Sequence, residues 1–189
     1  LISKLGSILQ KDALLPLMAT GEIILTVAWL EAGSSFSEKG VNMSVQVKGD
    51  SSLLTGKKHM VPYASSANKI VVLCKNSNEN LSAFLMDMNL EGISIKYQPN
   101  HAGESLYEVN FDEVELDESM VLAEGEELME AWDSTVNDCL VLLAAQASGG
   151  SEQVLHLGVE YSKERELFGQ LLGGFQSIAH YLADALVEV

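Results

Sequence analysis

The sequence is poor in positive charge and nearly devoid of arginine. Lysine and arginine together number 11, Arg165 being the sole arginine, against 27 aspartates and glutamates, for a formal net charge of −16. Nucleic-acid binding needs a basic footprint that neutralises phosphates, so this balance excludes that class of function. It argues equally against docking on anionic membrane surfaces. No apolar run reaches the roughly 20 residues of a membrane-spanning helix, and the first residues lack the pattern of a signal peptide. Cysteine is scarce too. Cys74 and Cys139 have no CxxC partner, and Cys74 lies in an apolar run, so both are expected as buried free thiols suited to a reducing compartment. The four histidines, His59, His101, His156 and His180, have no carboxylate or cysteine at ligand spacing, so no metal centre is expected. No GxSxG elbow occurs, and Ser34-Ser35 has no evident base partner, so a nucleophile triad is not expected. The stretch SLLTGKK at 52–58 lacks the glycine that a phosphate-binding loop would need at Ser51, and puts Lys58 where a magnesium-ligating hydroxyl belongs. It reads as a turn between strands.

What is present is apolar patterning of two kinds. With 47% apolar residues over 189, the chain can build one large core or two small ones. Residues 1–19 read as the end of a helical region interrupted at Pro16. Residues 22–30 are strand-like, and Val41, Met43, Val45 and Val47 alternate with polar neighbours as in a half-buried strand. Further strands are expected at 69–74, 83–88, 92–98, 106–111 and 113–117, with turns at Gly49-Asp50, Asn76 to Asn80 and Asn100 to Gly103. Short strands at this spacing, with no helices between them, predict an antiparallel barrel or sandwich. Residues 112–130 then carry nine acidic residues and no basic one, read as a solvated loop leading into a helix start. From Trp132 through Val136, Leu140, Leu143, Ala147, Gly150, Val154 and Leu157 to Tyr161 the spacing is 3-4, which predicts one long helix packed through a single seam over 128–162. Gly149-Gly150 is either a break in it or a place where another helix crosses closely; the unbroken phase favours the crossing. Both ends of the chain read as cut in mid-element, so a fragment of a longer protein is expected. The fold class is α+β, divided as the end of a helical domain (1–20), a middle β-barrel domain (21–120) and the start of a C-terminal helical bundle (121–189).

The stretch YSKERELFGQLLGGFQSIAHYLADALVEV, residues 161–189, joins a helix, a short aromatic-glycine loop and a second helix with an amide near its start. It resembles the flavin adenine dinucleotide (FAD) segment of the acyl-CoA dehydrogenase family. The resemblance implies that Arg165, Phe168 and Gln176 contact the ADP half of an FAD held mainly by a neighbouring subunit. The competing reading of Arg165 is a surface pair with Glu160 or Glu166. GEIILTVAWLEAGSSFS, residues 21–37, is similar to the family's first flavin segment: Gly33 and Ser34 match, whereas Ala28, Trp29, Leu30 and Ser35 replace Thr, Glu, Pro and Asp. LTGKKHMVPYASSANKIVVLCK, residues 54–75, resembles the segment whose aromatic residue and hydroxyl cover the flavin. Gly56, Lys58 and Ala67 fit, and Met60-Val61-Pro62-Tyr63 occupies the covering positions.

Carried over residue by residue, the resemblance implies cofactor contacts at Val27, Ala28, Gly33, Ser34, Met60, Val61, Pro62, Arg165, Phe168 and Gln176, with Ser34 also at the substrate. It further implies an acyl-CoA substrate, α-proton abstraction by a carboxylate with β-hydride transfer to flavin, and reoxidation by an electron-transferring flavoprotein. A homo-oligomer (dimer or tetramer) would be housed in a reducing compartment, the mitochondrial matrix if the source is eukaryotic. No carboxylate here can be assigned as the base: Cys139 and Leu140 stand where some members keep the catalytic glutamate and a substrate-contacting arginine. The departures at Ala28, Trp29, Met60, Pro62 and Leu140 leave a second reading open, a non-catalytic relative whose helices serve oligomerisation without flavin chemistry.

Overall fold

The computed structural model describes residues 1–35, 38–49 and 51–189. Phe36 and Ser37 of the first flavin-like segment, and Asp50 of the Gly49-Asp50 turn, lie outside the described residues. The chain divides into two compact units, Leu1–Asp133 and Ser134–Val189.

The first unit opens with α1 (Ile2–Leu5) and α2 (Ile8–Thr20). A reciprocal capping box starts α2: Ser7 accepts from the Gln10 amide, and the Gln10 side chain accepts from the Ser7 amide. Pro16 does not interrupt this helix as expected. It lies inside it, on a face where Pro16 and Asp12 are both exposed, so solvent can take the carbonyl that a proline leaves without a donor.

Eight strands follow: β1 (Leu25–Ala28), β2 (Val45–Lys48), β3 (Ser51–Pro62), β4 (Lys69–Lys75), β5 (Leu81–Asp87), β6 (Ile93–Tyr97), β7 (Leu106–Leu116) and β8 (Val121–Glu124). They form two four-stranded sheets, ordered β1-β4-β5-β8 and β2-β3-β7-β6. Pairing is antiparallel except between β1 and β4, which run parallel. The core lies between the sheets. Ala28, Leu54, Val61, Ile70, Val72, Cys74, Phe84, Met86, Val109, Phe111, Val114 and Leu116 form one buried cluster. In β4 the alternate residues Val71 and Leu73 are buried as well. Burial on both faces is why this strand reads as a continuous apolar run rather than an alternation.

Several expected elements differ. Residues 52–58 are not a turn but the middle of β3, the longest strand, and Lys58 within it is fully buried. The alternation at 41–48 yields strand only over 45–48, although Val41 and Met43 are buried. The two strands expected at 106–117 are one, bent at Glu113, whose φ is 51°.

Helix α3 (Gly125–Glu164) begins with Glu126 and Glu127, favourable at a helix N-terminus. Its 40 residues give a length of about 60 Å. It runs unbroken through Gly149-Gly150. A Cβ added at either glycine would meet nothing else among the described residues within 4 Å; the close approach is instead at Gly158, where an added Cβ would lie 3.4 Å from Leu182 Cδ2. Leu128 and Trp132 are buried in the first unit, but the seam beyond them is not packed within the chain: Leu140, Leu143, Val154, Leu157 and Tyr161 are exposed. The second unit contains the rest of α3, a two-strand hairpin of β9 (Glu166–Leu167) and β10 (Gln170–Leu171), and α4 (Gln176–Glu188). No helix among the described residues is long and apolar enough to cross a membrane.

Candidate functional site

In the first unit the sites inferred from sequence gather where β1 leaves its sheet. The Thr26 hydroxyl donates to the Pro62 carbonyl at 2.6 Å, and the His59 amide donates to the Leu30 carbonyl at 2.7 Å. These bonds set Val27–Leu30 beside His59–Pro62. The chain then turns through Gly33-Ser34. The Ser34 hydroxyl donates to the Glu31 carbonyl (2.8 Å) and accepts from the Glu31 amide (3.1 Å), which closes the turn on itself.

Under that turn lies a buried ion pair. Lys58 Nζ donates to Glu31 Oε1 at 2.8 Å and to the Trp29 carbonyl at 3.0 Å. The Glu31 carboxylate also accepts from the amides of Asn42 and Met43. Three chain segments are thus tied through one ammonium and one carboxylate, exposed by 0% and 12%. Burial by itself raises the Glu31 carboxyl. The hydrogen bonds from Lys58 and the two amides, with the Lys58 charge, outweigh it and hold the group below the usual glutamate range. Burial lowers Lys58, against the opposing pull of Glu31. The two side chains meet as an ion pair, with each one's hydrogen bond and charge favouring the charged form of the other. Burial also pushes the nearby Cys74 thiol up to about 12. Cys139, by contrast, is exposed rather than buried as expected, because the face of α3 that carries it is uncovered in this chain.

The residues inferred to cover a flavin form a strained bend. Met60 and Tyr63 have φ of 54° and 53°, a region costly for non-glycine residues, and the β3–β7 register shifts between Lys58 and Val61. The Ala28 and Val61 side chains are in the inter-sheet core, so only their backbones can serve a ligand. Met60, Pro62 and Gly33 are exposed, and Val27 and Ser34 half-buried.

In the second unit, the Arg165 amide donates to the Tyr161 carbonyl at the end of α3, and the Leu172 amide donates to the Arg165 carbonyl at 2.7 Å. Between them β9 and β10 pair across Phe168-Gly169, both with positive φ (52° and 83°) as a tight two-residue hairpin requires. Glycine meets that demand without strain. Phenylalanine does not, and its ring is 88% exposed. Gln176, also exposed, opens α4. Among the described residues no carboxylate pairs with the Arg165 guanidinium; Glu160 instead takes Lys163 at 2.7 Å. The alternative surface pair is therefore not formed.

A free guanidinium fork, an unpacked ring and an exposed amide fit the ADP half of FAD. In the first unit the polar groups are already engaged. The Ser34 hydroxyl donates to Glu31, and the Met60 amide donates to Gln98 Oε1 at 2.7 Å. That unit therefore offers packing surface and backbone more than free side-chain donors. Glu31 and Gln98 had no sequence signal: their partners lie 27 and 38 residues away.

Comparison with known proteins gives three concordant findings. A sequence model described as the acyl-CoA dehydrogenase C-terminal domain matches residues 133–189. Among curated relatives, the chain is 25% identical over 187 residues to the caffeyl-CoA reductase-Etf complex subunit CarC of Acetobacterium woodii, covering 95% of this chain and 49% of that protein. It is 27% identical over 190 residues to the human mitochondrial short-chain specific acyl-CoA dehydrogenase, covering 97% and 46%. The chain thus spans about half the length of these relatives. Among solved structures, butyryl-CoA dehydrogenase from Megasphaera elsdenii superposes with a TM-score of 0.89 at 25% identity, covering 99% of this chain and 51% of that one. Glutaryl-CoA dehydrogenase from Mycobacterium smegmatis gives 0.88 at 26%, covering 99% and 49%. Together these findings show that the chain is similar to acyl-CoA dehydrogenases over nearly its whole length, and that residues 133–189 match the model of that family's C-terminal domain.

Proposed function

We propose that the chain is part of an FAD-dependent acyl-CoA dehydrogenase-like flavoprotein whose complete form catalyses α,β-dehydrogenation of an acyl-CoA thioester. The observation that carries this reading is the Arg165–Phe168–Gln176 group: an unpaired guanidinium, a ring held exposed on strained backbone, and an amide at a helix start. Arg165 would bind the pyrophosphate of an FAD held by a partner subunit, with Phe168 and Gln176 on the same ADP half. Val27, Ala28, Gly33, Ser34, Met60, Val61 and Pro62 would form the isoalloxazine side, and Ser34 would also face the thioester. The bound flavin would supply the hydride acceptor. The base that removes the α-proton would come from outside this chain, which on its own would be inactive. Residues 1–20, 21–120 and 121–189 would be the end of a helical domain, the middle domain and the start of the C-terminal bundle.

Partners on this reading are an electron-transferring flavoprotein and further copies of the chain, as a dimer or tetramer. One relative's description as a subunit of a reductase-Etf complex supports the former. The exposed seam of α3 supports the latter. A reducing compartment, the mitochondrial matrix in a eukaryote, would suit the free thiols. The engaged Ser34 hydroxyl favours the other reading, a non-catalytic relative without flavin. An absorbance spectrum of the purified protein after incubation with FAD and gel filtration separates the two. Flavin bands co-eluting with the protein support the enzyme reading, and a colourless protein supports the non-catalytic one.

A further inference from the structure

The bend at Met60–Tyr63 carries two non-glycine residues in the left-handed region, and one loop holds both. Gln98, just past β6, takes the Met60 amide on its Oε1 at 2.7 Å. At the other end of the same loop, the Ser105 carbonyl takes the Tyr63 amide, also at 2.7 Å. Asn100 braces the loop between them. Its Nδ2 donates to the Glu104 carbonyl at 2.7 Å, and its Oδ1 accepts from the Glu104 amide at 3.1 Å. The orientation of the Gln98 amide is fixed by chemistry. A backbone N–H can only donate, so the carboxamide oxygen must face Met60 and the NH2 group must face His59 Nδ1, 3.1 Å away. His59 Nδ1 is then the acceptor.

We propose that the loop Gln98–Ser105 is the template that holds the Met60–Tyr63 bend, and that Gln98 is the positioning residue of this segment, setting its shape before any ligand arrives. Left-handed backbone at Met60 and Tyr63 persists only where the surroundings over-determine it, and the two short bonds from one braced loop do so. Resting on the flavin reading above, the inference adds that Gln98, which itself need touch no ligand, sets the affinity of the surface formed by Met60, Val61 and Pro62. Preorganisation of this kind is worth about tenfold in affinity when one hydrogen bond is lost.

The test pairs two readouts in the protein and its Gln98→Met and Gln98→Glu variants. Amide hydrogen exchange at Met60 reads the bend without any cofactor. Fluorescence titration with FAD reads the surface. Gln98→Met keeps the side-chain length but replaces the carboxamide oxygen by a thioether sulfur, a weak acceptor, and is expected to raise Met60 exchange and weaken FAD about tenfold. Gln98→Glu keeps the acceptor and is expected to restore both. Unchanged Met60 exchange in Gln98→Met overturns the inference. So does unchanged FAD affinity where the wild type binds. If the wild type takes up no FAD, the functional reading fails, and the exchange data alone decide whether the template stands. Should Gln98→Met not fold, Asn100→Ala loosens the same loop with Gln98 retained. Faster exchange at Met60 and Tyr63 together then supports the template, and unaltered exchange refutes it.

Discussion

Replacing Lys58 by methionine removes one charge from a pair that is almost entirely dry. The shape of the side chain is nearly kept, but the Glu31 carboxylate loses its cation while remaining 12% exposed, and the Trp29 carbonyl loses its donor. Breaking a buried pair by deleting one partner costs about 3–5 kcal/mol, because the surviving charge is left uncompensated. Glu31 keeps two amide donors, from Asn42 and Met43, so the low end of about 3 kcal/mol is expected. For a unit of this size that corresponds to a melting temperature lower by roughly 10 °C. The double variant Lys58→Met/Glu31→Gln removes both charges, leaves an uncharged acceptor for the amides, and should recover more than half of the loss. Thermal unfolding followed by tryptophan fluorescence is a suitable assay. Trp29 stacks edge-to-face on Trp132 at 4.4 Å in the same unit, and its carbonyl is one of the lysine's two acceptors. The reasoning fails if Lys58→Met melts within 2 °C of wild type, taken as roughly half a kcal/mol. It fails equally if the double variant is no more stable than the single one.

The same pair predicts a pH dependence. Because the folded-state value of Glu31 lies below its ordinary 4.5, its stabilising contribution is present above that pH and is lost as pH falls through the folded value. The stability gap between wild type and Glu31→Gln should therefore narrow below pH 4.5, and a gap that widens on acidification contradicts the assignment. The two thiols should separate kinetically. Exposed Cys139 should react at once with a thiol reagent at pH 8, and Cys74, buried and pushed up to about 12, only on unfolding. Two equally fast thiols in the native protein would show that the inter-sheet core is not closed.

The sequence made most of the architecture legible where a residue's neighbours in the chain decide its fate. The apolar run at 69–74 is β4 because burial on both faces leaves no polar position, and the 3-4 spacing from Trp132 is α3 because a helix repeats at that interval. The aromatic-glycine loop between two helices was visible for the same reason, whereas its pairing into the β9–β10 hairpin was not. Reading failed where the deciding partner is distant. Gly56-Lys57-Lys58 looks like a turn, yet Lys58 is in the core since Glu31, far away in the chain, neutralises it there. Cys139 and the α3 seam look like core, yet Cys139, Leu140, Leu143, Val154 and Leu157 are exposed among the described residues. Gln98 was missed because an isolated glutamine near a proline has no pattern, and its role appears only once the sheet, with β7 between β3 and β6, brings the segment after β6 to the bend in β3.

The central claim is that Arg165 is kept unpaired for the pyrophosphate of FAD. It is tested most directly by titrating wild type, Arg165→Ala and Arg165→Lys with FAD and following flavin fluorescence, with circular dichroism as a check that the sheets remain folded. A charge-assisted bond of this kind is worth about 1.5–3 kcal/mol, so Arg165→Ala should bind about one to two decades more weakly. Arg165→Lys should recover only part of that, having a point charge in place of a fork. Equal FAD affinity in wild type and Arg165→Ala would contradict the account.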